Sequence, residues 1–297
     1  MKSIVEIGYA KINLHLDIVG RSEDGYHAVE TVMQSISLAD TVTLSAREDR
    51  EITVRCDREG VPTDARNLAV RAAQLYMDKL GMHRGVHIDI EKHIPMAAGM
   101  AGGSADAAAT LRAINRLFGE PMDVSALCTL GAQLGADVPF CIVGGTAYAD
   151  GRGDCLHDFP AMPDCGIVAA CGTEGVSTPW AYHLLDETYS NFDGTRYTPR
   201  SLDGLRDAMR RADASAVAKQ MYNVFEAPIL AERPEATAIR QEMLDGGALG
   251  AMMSGSGPSI FGIFSDDHRA AAVVEQIVKK GCFATLCRPV TDASLPL

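Results

Sequence analysis

The alternation of apolar and polar residues predicts a strand, a loop and a helix near the middle of the chain. Residues 86–91 (VHIDIE) alternate between apolar and polar side chains, which is the period of a strand with one buried face. After a glycine-rich loop, apolar residues recur at intervals of four, three and four positions, the spacing of one helix face. That stripe consists of Ala107, Leu111, Ile114 and Phe118.

The loop between these two segments, PMAAGMAGGS at residues 95–104, has the composition of an anion-binding turn. Its small side chains leave backbone N–H groups uncovered, and Gly99, Gly102 and Gly103 tolerate positive φ. Ser104 is a candidate cap for the first helical turn. Free N–H groups and the positive end of the helix dipole meet there, so we expect a phosphate. Tight packing of a helix on a sheet is the alternative explanation.

The opening segment predicts a strand over residues 11–19 with one polar face. Its apolar residues alternate with Lys11, Asn13, His15 and Asp17, so that Lys11 and Asn13 lie side by side. No lysine follows the last glycine of the loop, so the cation for a bound phosphate must come from elsewhere. We interpret Lys11 as that cation, with an ordinary solvated strand face as the alternative.

Asp137 is the one ionisable residue in the apolar segment LGADVPF at residues 134–140. We interpret it as a general base, with Lys11 close enough to keep the carboxylate charged and aimed. The alternative is that it accepts backbone N–H groups in the turn before Pro139. The following residues, 141–149, are expected to form a strand or hairpin.

Three aromatic or imidazole side chains are candidates for holding a planar base. Tyr26 and His27 follow Asp24-Gly25, a hairpin signal, and a ring beside an imidazole can stack on a base and hydrogen-bond it. Tyr182 lies one turn into a helix that Thr178-Pro179 is expected to begin. Edge-strand packing for the pair, and half-buried packing for Tyr182, are the alternatives.

Two further segments indicate how the chain is organised. MMSGSGP at residues 252–258 forms either a second phosphate-sized nest or a glycine-rich β-turn between two apolar segments. The polar stretch at residues 151–164 is rich in glycine and proline, which predicts a domain boundary there. We place the two domains at residues 1–155 and 156–297.

Composition narrows the possible functions. The 297 residues suffice for one large or two medium domains, and 27 basic against 39 acidic residues give a formal charge of -12, which disfavours nucleic acid and anionic membranes as partners. The 8 cysteines form no CxxC pair, which favours buried thiols in a reducing compartment. Neither a signal-peptide h-region nor a stretch of transmembrane length is found, so we expect a soluble cytoplasmic protein.

The motifs resemble those of the GHMP kinase superfamily over essentially the whole chain. The superfamily likeness rests on PMAAGMAGGSADAAA at 95–109 and MSGSGPS at 253–259, in the expected order and separation. Four other segments are similar to members that act on a cytidine-diphosphate derivative of methylerythritol. They are AKINLHL at 10–16, DGYH at 24–27, LGADVPF at 134–140 and GVSTPWAY at 175–182.

This resemblance implies an α+β fold of two domains, the first related to a ribosomal-protein fold and the second ferredoxin-like. ATP and substrate would occupy the cleft between them. It also implies transfer of the γ-phosphate of ATP to the 2-hydroxyl of 4-diphosphocytidyl-2-C-methyl-D-erythritol, in the non-mevalonate isoprenoid pathway. Mg²⁺ would bridge the outer phosphate oxygens, with Ser104 as one possible ligand.

Carried over by position, the resemblance assigns a role to each matching residue. The catalytic pair falls on Lys11 and Asp137. Substrate-binding positions fall on Asn13, Tyr26, His27, Thr178 and Tyr182. ATP-binding positions fall on Asn67, near the adenine, and on Pro95, Met96, Ala97, Ala98, Gly99, Met100, Ala101, Gly102, Gly103, Ser104 and Ala105.

Two residues depart from the family pattern. Tyr9 replaces the usual proline before Ala-Lys, which is expected to alter how the opening strand starts. Ala105 replaces a second serine, which is expected to remove one hydroxyl from the phosphate nest.

Two other functions remain open at this point. One is a GHMP kinase acting on a mevalonate-, homoserine- or sugar-like alcohol, which has no base for Tyr26, His27 and Tyr182 to stack on. The other is a catalytically silent module that binds a nucleotide or RNA. The presence of Lys11 and Asp137 argues against silence, and the charge of -12 argues against RNA.

Overall fold

The computed structural model describes residues 3–21, 25–172, 174–189 and 198–291. The strands are β1 Ser3–Arg21, β2 His27–Arg47, β3 Ile52–Cys56, β4 Gly85–Glu91, β5 Thr146–Asp150, β6 Cys155–Asp158, β7 Gly166–Cys171, β8 Tyr222–Asn223, β9 Gly250–Met253, β10 Ile260–Phe264 and β11 Phe283–Cys287. The helices are α1 Leu68–Leu80, α2 Gly102–Leu117, α3 Val124–Gly131, α4 Asp137–Val143, α5 Thr178–Tyr189, α6 Asp203–Arg210, α7 Ala214–Gln220, α8 Glu226–Glu232, α9 Pro234–Asp245 and α10 Asp267–Lys279.

A seven-stranded sheet forms the larger layer. Its strands run β3-β4-β2-β1-β8, and β5 joins it by pairing with β2 and with β6. The long strands β1 and β2 are antiparallel neighbours. Helix α2 packs against both of them, and α1 packs against α2. The stripe predicted for α2 is confirmed, because Ala107, Leu111 and Ile114 are all fully buried in this layer.

The second sheet has four antiparallel strands in the order β11-β7-β10-β9. Counting only these strands along the chain, the spatial order is fourth, first, third and second. Helix α9 lies between the first and second of them, and α10 lies between the third and fourth. This is the β-α-β-β-α-β arrangement of a ferredoxin-like fold, so the predicted α+β class is confirmed.

The sequence predicts a helix that Asn67 caps and that ends at Gly81, and both ends are confirmed in α1. Asn67 accepts a hydrogen bond from the Ala69 N–H, and Gly81 ends the helix in the left-handed conformation. Residues 141–143 were expected to form a strand, but they complete the short helix α4, and the strand begins only at Thr146. Asp24 of the predicted hairpin lies outside the described residues.

The division of the chain at residues 155 and 156 stays a prediction. Strand β6 spans that point and pairs with β5 in the larger sheet. All eight cysteines are described, and each carries a free thiol. In the part of the chain that the structure describes, no helix combines the length and the apolar character needed to cross a membrane.

We expect the larger sheet to depend on its buried apolar side chains. Leu44 on β2 is fully buried, so Leu44→Ala should lower the free energy of unfolding by about 2–5 kcal/mol through lost burial and a cavity. Val5 on β1 is 54% exposed, so Val5→Ala should change the free energy of unfolding by about 0.5 kcal/mol or less. Urea unfolding measures both, and equal losses in the two variants would contradict the burial that the structure shows.

Candidate active site

The largest cluster of predicted site residues lines one cavity of about 580 Å³. The cavity takes residues from the larger sheet, from the loop before α2, from α4 and α5, and from the loop after β9. Fifteen of the nineteen predicted site residues line it. They are Lys11, Asn13, Asn67, Pro95, Met96, Ala97, Ala98, Gly99, Ala101, Gly102, Gly103, Ser104, Asp137, Thr178 and Tyr182.

The loop before α2 adopts its conformation in a way that the sequence predicted only in part. Three alternate residues, Ala97, Gly99 and Ala101, have positive φ, at 51°, 75° and 58°. Of the three predicted glycines, only Gly99 lies in the left-handed region, because Gly102 and Gly103 already belong to α2. The residue before the helix is Ala101, without a side-chain cap, so the prediction that Ser104 caps α2 was wrong.

The carbonyl groups of residues 97–100 in this loop are directed into the protein. Ala97 O accepts from Val176 N at 3.5 Å, Ala98 O from Ser259 N at 3.3 Å, Gly99 O from Ser254 Oγ at 3.1 Å and Met100 O from Lys11 N at 3.2 Å. No acceptor in the described ranges bonds the N–H groups of residues 97–101. These amide groups and the first amides of α2 therefore form a concave set of donors, which suits an anion.

Lys11 brings a buried ammonium group to the cavity wall. Its side chain is 5% exposed, and Nζ donates to Asn13 Oδ1 at 2.7 Å. Asn13 Nδ2 donates in turn to Thr31 Oγ1 at 2.8 Å, and that hydroxyl donates to the carbonyl of His15 at 2.7 Å. This relay of hydrogen bonds fixes which end of the Asn13 amide faces the ammonium.

Asp137 lies at the first position of α4 and faces the same cavity. Its Oδ1 is 3.7 Å from Lys11 Nζ, and its side chain is 40% exposed. Among the described residues, no backbone N–H donates to this carboxylate, so the alternative of a turn-satisfying aspartate before Pro139 is wrong. The structure thus brings together the buried cation of Lys11 and the accessible carboxylate of Asp137, which lie 126 residues apart in the sequence.

A bulge in β1 changes which residues face the cavity. The register with β2 shifts between Asn13 and His15, and the cavity lining passes from Asn13 to Leu16. His15, expected on the same polar face as Lys11, is 1% exposed and lies 5.8 Å from the Tyr222 ring. Burial, and then the charge of Arg200, lower the pKa of His15 to about 4. We therefore treat His15 as a neutral residue outside the cavity.

An aromatic cluster closes one end of the cavity. The Tyr182 ring lies 4.8 Å from the His27 ring and packs edge-on against Phe225 at 4.9 Å. Burial raises the pKa of Tyr182 to about 12. His27 Nε2 lies 2.7 Å from Asp186 Oδ1. Neither His27 nor Tyr26 lines the cavity itself.

Tyr26 sits just outside this end of the cavity. It is 57% exposed, and the guanidinium of Arg152 lies 4.1 Å from its ring centre. Arg152 is itself a cavity-lining residue that the sequence did not single out. Tyr26 thus reaches the cavity through Arg152, as His27 does through Tyr182.

Met100 and Ala105 also do not line the cavity. Both side chains are buried, and the Ala105 carbonyl lies close against Gly8 on β1. A hydroxyl at position 105 would not face the cavity, so the expected loss of a group from the phosphate nest was wrong. Tyr9, the other departure, stays within β1, and the register shifts directly after it.

A buried ion cluster lies below the loop. Lys92 Nζ contacts Asp40 Oδ2 and lies 2.7 Å from Asp106 Oδ2. Burial raises the pKa of Asp106 to about 8, although the nearby ammonium opposes this shift. Burial alone lowers the pKa of Lys92, but the two carboxylates outweigh it and the net shift is upward.

Thr31 and Phe225 line the cavity without a signal in the sequence, whereas Ser256 belongs to the segment 252–258 that the sequence predicted as a nest or a turn. Thr31 orients Asn13 from the neighbouring strand, and Ser256 Oγ lies 3.2 Å from Thr178 Oγ1. Phe225 supports Tyr182 from a segment that carries no recognisable motif. Their roles depend on strand register and loop packing, which a single sequence does not reveal.

Comparisons with known proteins place this geometry in context. The model of the GHMP kinases N terminal domain matches residues 67–145, and that of the GHMP kinases C terminal domain matches residues 192–282. The chain is 40% identical over 281 residues to 4-diphosphocytidyl-2-C-methyl-D-erythritol kinase of Lachnospira eligens, covering 95% of this chain and 96% of that protein.

Solved structures are similar over nearly the whole chain. A crystal structure of 4-(cytidine 5'-diphospho)-2C-methyl-D-erythritol kinase matches with a TM-score of 0.80 and 31% identity, covering 96% of this chain and 99% of that one. Homoserine kinase from Cytophaga hutchinsonii matches with a TM-score of 0.76 and 20% identity, covering 99% and 96%. The second similarity supports the fold alone.

We expect the buried cluster to make stability depend on pH. The pKa of aspartate in an unfolded chain is about 3.9. Because the folded pKa of Asp106 is raised, its stabilisation is complete below about pH 4 and is lost as the pH rises toward 8. As the pH rises, the free energy of unfolding of the wild type should therefore fall relative to that of the Asp106→Asn variant, by up to about 1.4 kcal/mol per pH unit. This difference should level off above about pH 8. Urea unfolding at constant ionic strength measures this difference, and a constant difference from pH 5 to 9 would contradict the raised pKa.

Proposed function

Because the chain belongs to the 4-diphosphocytidyl-2-C-methyl-D-erythritol kinase family of the GHMP kinases, we propose that it transfers the γ-phosphate of ATP to the 2-hydroxyl of 4-diphosphocytidyl-2-C-methyl-D-erythritol. The reaction is a step of non-mevalonate isoprenoid synthesis. One observation carries the proposal: the Lys11 ammonium and the Asp137 carboxylate meet in the cavity that the donor-rich loop lines.

ATP would bind at the loop over residues 95–105. The unbonded N–H groups of residues 97–101 and the N-terminus of α2 would hold the phosphate oxygens. Asn67 lines the cavity, but its amide already bonds Ala69 N and Pro62 O. Its contribution near the adenine would therefore be the shape of the wall. Met100 and Ala105 would support the loop from below.

Mg²⁺ fits this site as an ion held mainly by the phosphates. In the described part of the chain, no group of three His, Cys, Asp or Glu side chains could form a cage. Magnesium often binds through one or two protein groups plus substrate phosphates. Ser104 lines the cavity and would be such a group. When bound, the ion would neutralise charge on the transferred phosphoryl group.

Lys11 and Asp137 would activate the substrate hydroxyl. Asp137 is exposed enough to accept the hydroxyl proton, and Lys11 would stabilise charge on the transferred group. Asn13 would hold the ammonium in place and contact the substrate. Thr178, which also lines the cavity, would be a second substrate contact. Alignment and charge stabilisation are the main requirements of phosphoryl transfer.

The cytidine group would lie at the aromatic end of the cavity. Tyr182 lines this end, and its contact with His27 places an imidazole beside a ring. Tyr26, exposed next to Arg152, would stack on the base or close over it. Arg152 would also place a positive charge near a diphosphate. We propose residues 1–155 and 156–297 as the two domains that enclose the bound ligands.

The role of Asp137 is tested by its amide variant. Asp137→Asn should fold normally and lower kcat by at least about 100-fold, because the amide cannot accept the hydroxyl proton. Asp158→Asn, on the exposed strand β6, serves as the matched control and should leave kcat unchanged. Steady-state ADP formation and circular dichroism measure activity and folding. A kcat within threefold of the wild type would exclude Asp137 as the base.

The substrate is tested by a panel of alcohols with ATP and Mg²⁺. We expect ADP formation with 4-diphosphocytidyl-2-C-methyl-D-erythritol and not with mevalonate, homoserine or a hexose. Replacing both Tyr26→Ala and His27→Ala should raise KM for the cytidine compound at least about fivefold, through lost stacking, with KM for ATP unchanged. Turnover of another alcohol alone would favour a different GHMP kinase, and no turnover at all would favour a silent module.

A further inference from the structure

The segment between α7 and α8 connects the larger sheet to the loop after β9. Strand β8 pairs in parallel with β1, with Asn223 opposite Leu16, and Val224 N donates to Leu16 O at 2.9 Å. Leu16 lines the cavity five residues after Lys11. The backbone around Asn223 is therefore fixed to the strand that carries the buried ammonium.

The Asn223 side chain holds the loop over residues 253–259. It is 4% exposed, and Nδ2 donates to Met253 O and to Gly255 O, both at 2.8 Å. Its Oδ1 accepts from Phe225 N at 3.0 Å. Both protons of the amide are thus directed at the loop, and the oxygen fixes the orientation of the amide.

Glu226 holds the same loop from the next helix. Its Oε2 accepts from Met253 N at 2.8 Å, and its Oε1 lies 3.3 Å from Arg240 Nε. Arg240 Nε also donates to Ala251 O at 3.0 Å. Asn223 and Glu226 therefore bond both the carbonyl and the N–H of Met253 and form a clasp, a term we use for these two residues only.

The loop over residues 253–259 contacts the loop over residues 95–104 and lies close to Lys11. Ser254 Oγ donates to Gly99 O, and Ser259 N donates to Ala98 O. Gly255, at φ 59°, comes so close that a Cβ there would lie 2.9 Å from Gly99 O and 3.4 Å from Lys11 Nζ. Gly99 is equally constrained, because a Cβ on it would lie 2.4 Å from Ser254 O.

We infer that Asn223 is a positioning residue for phosphoryl transfer, which holds the loop over residues 253–259 against Lys11 and Gly99 and so fixes the ammonium and the phosphate-binding amides together. The inference rests on the proposed function. Asn223 reaches neither ligand directly, because it is not among the residues that line the cavity. It acts through Gly255 and Ser254, and Glu226 supports the same contact.

The variant Asn223→Asp tests this role. The aspartate keeps the oxygen that accepts from Phe225 N, but its second oxygen faces two carbonyl oxygens and repels the loop. We expect the dissociation constant for ATP to rise and kcat to fall, each by about 10- to 100-fold, because small displacements of aligned groups are costly. Hydrogen exchange should accelerate in the peptide covering residues 95–104 and in Lys11, whose N–H bonds Met100.

Asn115 provides a matched control on α2. It is 6% exposed, donates to Met122 O at 2.8 Å and accepts from Met122 N at 3.1 Å, so it also holds a loop through one residue's carbonyl and N–H. Asn115→Asp should lower the melting temperature without changing ATP affinity or exchange in residues 95–104. If the two aspartate variants lose stability to the same extent and both keep normal ATP affinity and kcat, Asn223 is only structural and the inference is wrong.

A milder variant decides the case if Asn223→Asp does not fold. Ser254→Ala removes only the hydrogen bond to Gly99 O and should weaken ATP binding by about threefold or more, the loss expected for one net hydrogen bond. Unchanged affinity and unchanged exchange in this variant would overturn the inference. ATP affinity and exchange do not depend on the alcohol, so a wild-type protein that binds ATP but turns over no cytidine compound would contradict only the proposed substrate.

Discussion

The placement of one buried ammonium group is the constraint on which the site depends. A buried charge without partners is strongly destabilising, so Lys11 needs polar groups that the fold delivers to it. Asn13 comes from the same strand and is oriented by Thr31 on β2, while Asp137 comes from the start of α4. The pairing of β1 with β2 and the packing of α4 therefore determine the chemistry, because each supplies one partner at a fixed distance.

The loop over residues 95–104 depends on hydrogen-bond partners for its backbone groups. Buried carbonyl and N–H groups need partners, and here the carbonyls of residues 97–100 find theirs within the protein. Three of the four donors, Val176, Ser254 and Ser259, come from the C-terminal part of the chain. The loop conformation therefore depends on residues of the C-terminal part of the chain, and residues of that part also line the cavity.

Sequence reasoning succeeded where the physical cause is local. Asn67 caps α1 through an atom two residues away, and the apolar stripe of α2 follows from helical geometry. It failed where the cause lies on another segment. The bulge after Asn13 arises in the pairing with β2, and it puts Leu16 rather than His15 at the cavity. The glycines of the loop indicated positive φ, but they did not show that two of the three residues with positive φ would be Ala97 and Ala101.

The net negative charge of the chain limits how a nucleotide can be bound. A chain of net charge -12 repels a nucleotide triphosphate at long range, but salt screens such forces beyond about 8 Å at physiological ionic strength. Binding must therefore depend on short-range groups in the cavity, which are amide hydrogens, a helix N-terminus and the cations Lys11, Arg66, Lys92 and Arg152. A protonated Asp106 would reduce the local negative charge under the loop. For these reasons the geometry of the loop matters more for anion binding than the composition of the whole chain.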